Sequence, residues 1–568
     1  MKKNILLTSF CFLYFFLRGQ DCSSIGTNVH ARFNEVNAQI NTLGTNFTQY
    51  TSAGYSVPYK FGSIESPKHT IGATSIWIGG KDVSGELRIA ASTYLESGGV
   101  GDYVSGPIPA SGMLSPNFCD EWSKIWVVSS IDINSHIAIF KAYGVDDYPP
   151  ESLLNWPAKG NPFFKAQNGF DLPDRPEGYA PFYDANNDGI YNPVKGDYPA
   201  LNNNGCFIPD YMAWCVFNDV GGKHIHTKSV KPVNVEIQQT IWGFRAEDTV
   251  VNRSLFASYK IIYKGIQALD SAYVGIWTEF ELGCPDDDFH GCDAPNNTYY
   301  GYNSDKLKDP SCRGSGGYGD NPPVQAVTLL NKPLNKFNYY YIGRPTNMPT
   351  GMHDPVNANE FYNYLTGRWK DGSTLKKGGN GYSPTAGTTT DFAFPDEPNN
   401  ASGWSMVSAN MSKTFFEEAV VGSTNLGKLM PGQIVNLDVA YTYHRKTGLD
   451  GWQNVSQMKT EVANIKNIYN TGFSNYQKCV KVSTKDLSTA ALKIFPNPTN
   501  GHLQIDSENE LIESIKIFDI LGKVVFSQKV NSLKMVVDLD LNIFSKGTYQ
   551  IICTLESGIV NRRISITN

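Results

Sequence analysis

From Val233 to Phe244 the side chains alternate, Val233, Val235 and Ile237 and then Thr240, Trp242 and Phe244. A period of two sends successive residues to opposite faces of an extended chain, so this stretch reads as a half-buried strand. The same texture returns in SLFASYKIIYKGI, SAYVGIWTEFEL, NYYYIG and IVNLDVAYTY, with Gly, Pro and Asn between the runs. Only 18% of residues are charged while 12% are aromatic, with 31 Tyr, 30 Phe and 10 Trp. That much aromatic surface builds cores and excludes a disordered chain. One segment reads as a helix: between Gly451 and Asn470, Val455, Met458, Val462, Ile465, Ile468 and Tyr469 recur at helical spacing. The expected fold class is mainly β, a β-sandwich body with long loops and one helix, followed by a C-terminal immunoglobulin-like sandwich.

Lys2 and Lys3 precede an almost wholly apolar run, Ile5 to Leu17, closed by Arg18, Gly19 and Gln20. The run is too short for a hydrocarbon core about 30 Å thick and fits the h-region of a signal peptide over residues 1–19. No later stretch reaches the ~18 apolar residues of a spanning helix, so no transmembrane segment is expected. Gln20 and Asp21 before Cys22 do not suit a lipidation box. A net charge of −6 argues against nucleic acid or an anionic membrane as partner, since both require a basic excess.

Export fits the cysteines. Cys22, Cys119, Cys206, Cys215, Cys284, Cys292, Cys312 and Cys479 lie in the body, with Cys553 near the end. An even body count in an oxidising compartment suggests disulfides, with the connectivity open. Proximity favours Cys206 with Cys215, and Cys284 with Cys292 or Cys312. None has zinc-thiolate spacing.

Two acidic motifs stand out. In Asp184-Ala-Asn186-Asn-Asp188-Gly189-Ile190, oxygen side chains at alternate positions and a glycine that lets the chain curl suit a hard cation with six to eight oxygen ligands, calcium above all. Lys195 occupies position 12 of an EF-hand loop and cannot ligate. Asp197 is therefore the distal carboxylate and the Ile190 carbonyl the natural fourth ligand. The alternative is an Asx-rich turn held by its own hydrogen bonds. In Cys284-Pro-Asp286-Asp287-Asp288-Phe-His290-Gly-Cys292-Asp293, neighbouring carboxylates repel unless neutralised. Asp287, Asp288 and Asp293 are the best ligands for a second calcium, against a solvated acidic loop or a catalytic acid pair. Glu279 and Glu281, two apart on the preceding strand, share a face and keep an enzyme reading open. His224 and His226 suit a transition metal, but no third ligand accompanies them. No nucleophile elbow, phosphate loop or dinucleotide fingerprint occurs, so no catalytic residue is assigned.

The polar stretch 482–491 reads as a linker between a body over residues 20–481, with a sub-boundary near Asn202 left open, and a module over 492–568. That module carries Pro496-Asn497-Pro498 with Gly501, then IFDILGK with Gly522, then Gly547-Thr-Tyr549, and Arg562-Arg563 before a short strand. These four separated motifs resemble the type A sorting domain of the Bacteroidota type IX secretion system. In the reading of the residues, the prolines fix the entry turn, and Gly522 and Gly547 supply turns where a Cβ would clash. The resemblance implies passage across both membranes, the secretion machinery as partner, and a final place on the cell surface or outside the cell. Body motifs such as Trp77-Ile-Gly79-Gly80, Asn155-Trp156-Pro157, Ala180-Pro181-Phe182-Tyr183-Asp184 and Val216-Phe217-Asn218-Asp219 resemble a broad group of Bacteroidota secreted proteins, which implies a class and no mechanism.

The leading expectation is a non-enzymatic exported protein, stapled by calcium, serving adhesion, surface structure or binding of extracellular polysaccharide. The alternative is a secreted hydrolase, glycosidase-like, using carboxylates of the 279–293 region. A third expectation is a sugar-stacking surface with Trp369 and Trp404 as first candidates.

Overall fold

The computed structural model describes residues 22, 26–48, 54–60, 68–94, 101–202, 204–229, 231–312, 316–382, 387–411, 417–476, 492–507, 511–519, 524–534, 536–555 and 558–567. The signal peptide, the 482–491 linker, Cys479 and Gly522 fall outside them.

Among the described residues the body is built on two nine-stranded antiparallel sheets that share one apolar core. In the first, Leu269–Phe280 lies between His69–Lys81 and Glu418–Leu429, with Lys336–Tyr341 beyond. In the second, Ile434–His444 joins Ser254–Tyr263 to Val324–Leu329. Val235–Gly243 and Tyr211–Asn218 extend one side, and Thr298–Asn303 and Asp288–Asp293 extend the other. The face of the first sheet turned to the second is joined to it by hydroxyls, Thr74 meeting Tyr441 and Thr278 meeting Tyr299. On its other face, under the helix Ala358–Leu365, Trp277 stacks on Trp77 at 6.3 Å and donates its indole N–H to Tyr340 at 2.7 Å. A buried Trp retains its polar handle in this way without an unpaired donor.

The second sheet is buried on both faces. On Tyr211–Asn218, Ala213, Cys215 and Phe217 face the core between the sheets, while Met212, Trp214 and Val216 join a second cluster with Trp122, Trp126, Trp156 and Tyr191. Residues on both sides of Asn202, such as Tyr191 and Ile208, thus share one core. This second face is covered by the segment from Pro116–Trp122 to the loops before Tyr211, pinned by a buried ion pair between Arg175 and Glu236 at 2.6 Å.

The helix Gly451–Asn470 forms as its periodicity predicts, with Asp450 and Gln453 in a reciprocal capping box. Further helices occur where none was expected, the longest being Ser130–Tyr143. Its isoleucines fall in two pairs spaced two apart, 131 with 133 and 137 with 139, and imitate a strand. The Ser129 side chain, accepting from the Asp132 amide at 3.2 Å, and Gly144 at φ +72° set its ends.

Disulfides join Cys22 to Cys119 and Cys284 to Cys312, and Cys206 is disulfide-bonded as well. The expected Cys206–Cys215 pair does not form: Cys215 is a free thiol buried mid-strand, and Cys292 is likewise free and buried. Trp369 and Trp404, expected to stack on sugars, are 0% and 4% exposed and belong to the core, so they present no ring to a ligand. Among the described residues no helix is long and apolar enough to cross a membrane.

The C-terminal residues form a three-stranded and a four-stranded antiparallel sheet around their own core of Leu503, Ile505, Ile515, Ile517, Ile551 and Ile564. Ile139 of the body packs against Phe518 and Ile552 of this module.

Candidate functional site

Carboxylates gather at one end of the sandwich, where Leu269–Phe280 runs out and Asp288–Asp293 begins. Glu279 and Glu281 share a face of the extended chain, as residues two apart must. Both press on Gly72 of the neighbouring strand, where a Cβ would stand 2.5 Å from Glu281 Oε1 and 2.8 Å from Glu279 Oε2. The Tyr94 hydroxyl donates to Glu279 at 2.5 Å, and Glu279 and Glu417 share a hydrogen bond. Burial and then the Glu281 charge hold Glu279 well above the usual carboxylate range. Burial and then Glu417 push Glu281 up to about 7. Like charges in a low-dielectric site cannot all ionise, so this group holds a proton at neutral pH.

A second acidic group adjoins it. Asp287 accepts from the Asn303 side chain at 2.8 Å, and Asp288 Oδ2 accepts from the Leu282 amide at 2.8 Å. Asp309 reaches the same place from a distant segment, its Oδ2 accepting from the Tyr318 amide at 2.6 Å. Gly283, at φ +74°, makes the approach feasible, because a Cβ there would collide with Asp309 Oδ2. The Cys284–Cys312 disulfide ties the two acid-bearing segments together. Asp288 Oδ1 and Asp309 Oδ1 are buried with no hydrogen-bond partner. Burial and then Asp287 raise Asp288 well above its ordinary range, with Asp309 and Glu281 adding to the shift. Burial raises Asp309 to about 7, with Asp287 contributing.

Of the expected ligands, Asp287 and Asp288 lie here and Asp293 does not. It ends the Asp288–Asp293 strand, about 16 Å on at ~3.3 Å per residue, and accepts from the Asn296 side chain at 2.7 Å. Asp309, which the sequence did not single out, lies beside Asp287 and Asp288 instead, three residues before the disulfide-bonded Cys312. On the same strand His290 stands 3.3 Å from Glu418. Burial pushes His290 down to about 3 and Glu418 up to about 8, so both are neutral at pH 7.

The loop 184–197 is closed by Tyr183 and Tyr198, whose amides and carbonyls pair at 2.8 and 3.3 Å. Asp184 accepts from the amides of Asp188 and Gly189, Asp188 from the amide of Ile190, and Asn186 from the amide of Asp188. Asp197 is fully buried and accepts from the amides of Ala185 and Asn192 at 2.8 and 2.7 Å. Burial raises the pKa of Asp197 despite these bonds, whereas the Ile190 amide and the Asn186 side chain lower that of Asp188. The sequence thus brings Asp184, Asn186, Asp188 and Asp197 to one loop, and that loop's own amides serve its oxygens. The Ile190 side chain is exposed and leans on Gly160.

His224 and His226 lie on a loop. His224 Nε2 meets the Asp219 carbonyl oxygen at 2.8 Å and its Nδ1 stands 3.4 Å from Asp102, so the ring braces two buried acids. Among the described residues, the one group of three His, Cys, Asp or Glu ligand atoms within 4.8 Å of one another is Cys284, Asp286 and Cys312. Its two sulfurs are bonded to each other and offer no thiolates.

In the C-terminal module Asn497 clamps the last strand: its side chain donates to the Arg563 carbonyl at 2.8 Å and accepts from the Ser565 amide at 2.9 Å. It sits between Pro496 and Pro498, both preceded by cis peptides. Gly501, at φ +118°, is pressed against Asn542. Gly547 departs from expectation, since a Cβ there would meet only Tyr549, at an ordinary 3.7 Å. Tyr549 donates its hydroxyl to the Ser545 carbonyl at 2.8 Å, and Arg562 and Arg563 pair with Ile551 and Gln550.

Residues 493–567 match the secretion system C-terminal sorting domain. Ulvan lyase NLR42 of Nonlabens ulvanivorans is 30% identical over 87 residues, which is 15% of this chain and 16% of that protein. A polysaccharide lyase of solved structure is 9% identical, with 58% of this chain and 34% of that chain covered at a TM-score of 0.17. At that score the superposition decides nothing about fold or function. The sorting domain makes the chain a cargo of the type IX secretion system, exported to the cell surface or the extracellular space.

Proposed function

We propose that the exported body is a non-enzymatic, calcium-stapled β scaffold that binds extracellular polysaccharide or surface components. One observation carries this reading: half of the converging acids are enclosed, Glu279, Asp287 and Asp309 being only 2%, 6% and 1% exposed, while Glu281, Asp288 and Glu417 are half-buried. Carboxylates that cut a polymer must flank a bond of that polymer. Carboxylates buried among one another instead call for protons or a cation. The loop 184–197, with Asp184, Asn186, Asp188, Asp197 and the Ile190 carbonyl, is the second place for calcium.

The test is retention of the mature chain on a panel of insoluble polysaccharides, with calcium and with chelator, while soluble products are assayed. Calcium-dependent retention without product is expected. Turnover of any polymer, lost in Glu279→Gln, would overturn the reading.

A second reading is a polymer-cleaving enzyme, hydrolase or lyase. It is favoured by the Tyr94–Glu279 hydrogen bond beside a Glu281 raised to about 7, an arrangement suited to general acid–base work near neutral pH. The relative named as an ulvan lyase agrees with it, over the short span it shares.

A further inference from the structure

We propose that Asp287, Asp288 and Asp309 form a calcium site assembled by the Cys284–Cys312 disulfide, so that calcium loading awaits oxidation of the exported chain. This deepens the calcium-stapled reading and rests on it.

The ligands come from two segments that the disulfide links covalently, while Tyr318, buried in the core, and Arg445, on the carbonyls of Tyr318, Asp320 and Asn321, anchor the second of them to the body. Asp287 and Asp288 stand three and four residues after Cys284. Asp309 precedes Cys312 on a hairpin whose strands pair at two positions, Lys308 with Asp320 and Asp309 with Gly319. One oxygen of Asp309 is committed to the Tyr318 amide, and the other is buried without a partner. Asp288 is divided in the same way between the Leu282 amide and a buried, unpartnered Oδ1. Two buried oxygens left unpaired in each other's field are costly unless something binds them. Ser304, whose amide donates to the Asp287 carbonyl at 2.8 Å, contributes a buried hydroxyl that also lacks a partner. Carboxylate and hydroxyl oxygens with no nitrogen or thiolate among them suit calcium, which accepts irregular oxygen shells at about 2.3–2.6 Å. The three carboxylates stand farther apart than bound ligands do, and closing on the ion removes the repulsion between them. With Cys284 and Cys312 reduced, the hairpin keeps its short pairing and the Tyr318 and Arg445 anchors but loses the covalent link next to the acids, so Asp309 is held less closely to Asp287 and Asp288.

The experiment is calorimetric titration of the mature full-length chain with calcium, for the wild type, Asp309→Asn, Asp188→Asn and the Cys284→Ser/Cys312→Ser pair. Asp309→Asn is expected to lose one calcium per chain or weaken it at least tenfold. The double serine chain should show the same loss, and Asp188→Asn should retain that ion. Near-UV circular dichroism checks folding, and Asp287→Asn, which preserves an acceptor for Asn303, repeats the test if Asp309→Asn misfolds. Unchanged stoichiometry and affinity in Asp309→Asn and Asp287→Asn, or no calcium bound by the wild type, would overturn the site. Unchanged binding in the double serine chain would overturn the role of the disulfide. Polymer retention indifferent to calcium, alongside Asp309-dependent calcium binding, would remove the polymer reading and leave this site standing.

Discussion

Glu281 sits where burial and charge oppose each other. Its pKa is raised to about 7 in the folded chain, by burial first and by Glu417 second, against about 4.3 in an unfolded one. A carboxyl raised on folding binds more protons in the native state, so stability is full below the unfolded pKa and falls as pH rises through about 7. Glu418, raised by burial to about 8, acts in the same direction and extends the fall. In chelator, urea unfolding should show stability declining between pH 4.5 and 8. Glu281→Gln should flatten that decline by an amount on the order of 2–3 kcal/mol. A pH profile unchanged by Glu281→Gln would mean that this carboxyl stays ionised and is neutralised by a partner. Asp309 illustrates what residue-level reading misses. Asp287 and Asp288 are conspicuous because they are adjacent, whereas Asp309 joins them through a hairpin without a local signature and a Cys284–Cys312 pairing that the sequence left open against Cys292.

At the scale of elements, the strands Val235–Gly243, Ser254–Tyr263, Leu269–Phe280 and Ile434–His444 were legible from their β-branched and aromatic runs. Val235–Gly243, expected to be half-buried, is nevertheless buried at every position, because the second sheet is covered on both faces. Gly451–Asn470 was legible from its helical spacing: Val455, Met458, Val462 and Ile465 are buried against the outer face of the second sheet, where Glu461 and Tyr469 meet His444 and Asp438, while the opposite side stays wet. Ser130–Tyr143 was not, because apolar residues surround it and its identity rests on the Ser129 and Gly144 caps. The seven short strands of the C-terminal module were legible from close spacing and turn residues. Capping offers a test on the legible helix. Asp450 accepts from the Gln453 amide at 2.8 Å and Gln453 returns to the Asp450 amide at 2.9 Å. Asp450→Ala should cost about 1 kcal/mol in thermal or urea unfolding of the body. A cost of a few tenths would mean that packing alone fixes the helix start.

For the whole molecule, sequence discloses destination and leaves chemistry to be found. A sorting module must be recognised by the same machinery whatever it carries, so its turns and terminal strand recur as a local pattern. A binding or catalytic site in the body depends on distant residues meeting, as Gly72 meets Glu279 and Glu281. The two parts are also separable in energy. The module has a core of its own, and its contacts with the body include the small apolar one at Ile139 and an ion pair, Arg245 with Glu513, at 3.6 Å. Burying one such apolar side chain contributes about 1.5–3 kcal/mol at most, and a part-exposed ion pair about 1 kcal/mol or less. Both are small beside a body core that spans two sheets. A chain ending at residue 491 should therefore fold its body with unfolding transitions close to those of the full chain. Expressed in its native secretion background, it should accumulate inside the outer membrane instead of reaching the surface or medium. Cell fractionation with immunodetection of the body reads the second outcome, and circular dichroism of the purified truncation reads the first. Surface delivery of the truncated chain would mean that the address lies partly in the body. A body that fails to fold without residues 492–568 would mean that the module also acts as an intramolecular scaffold.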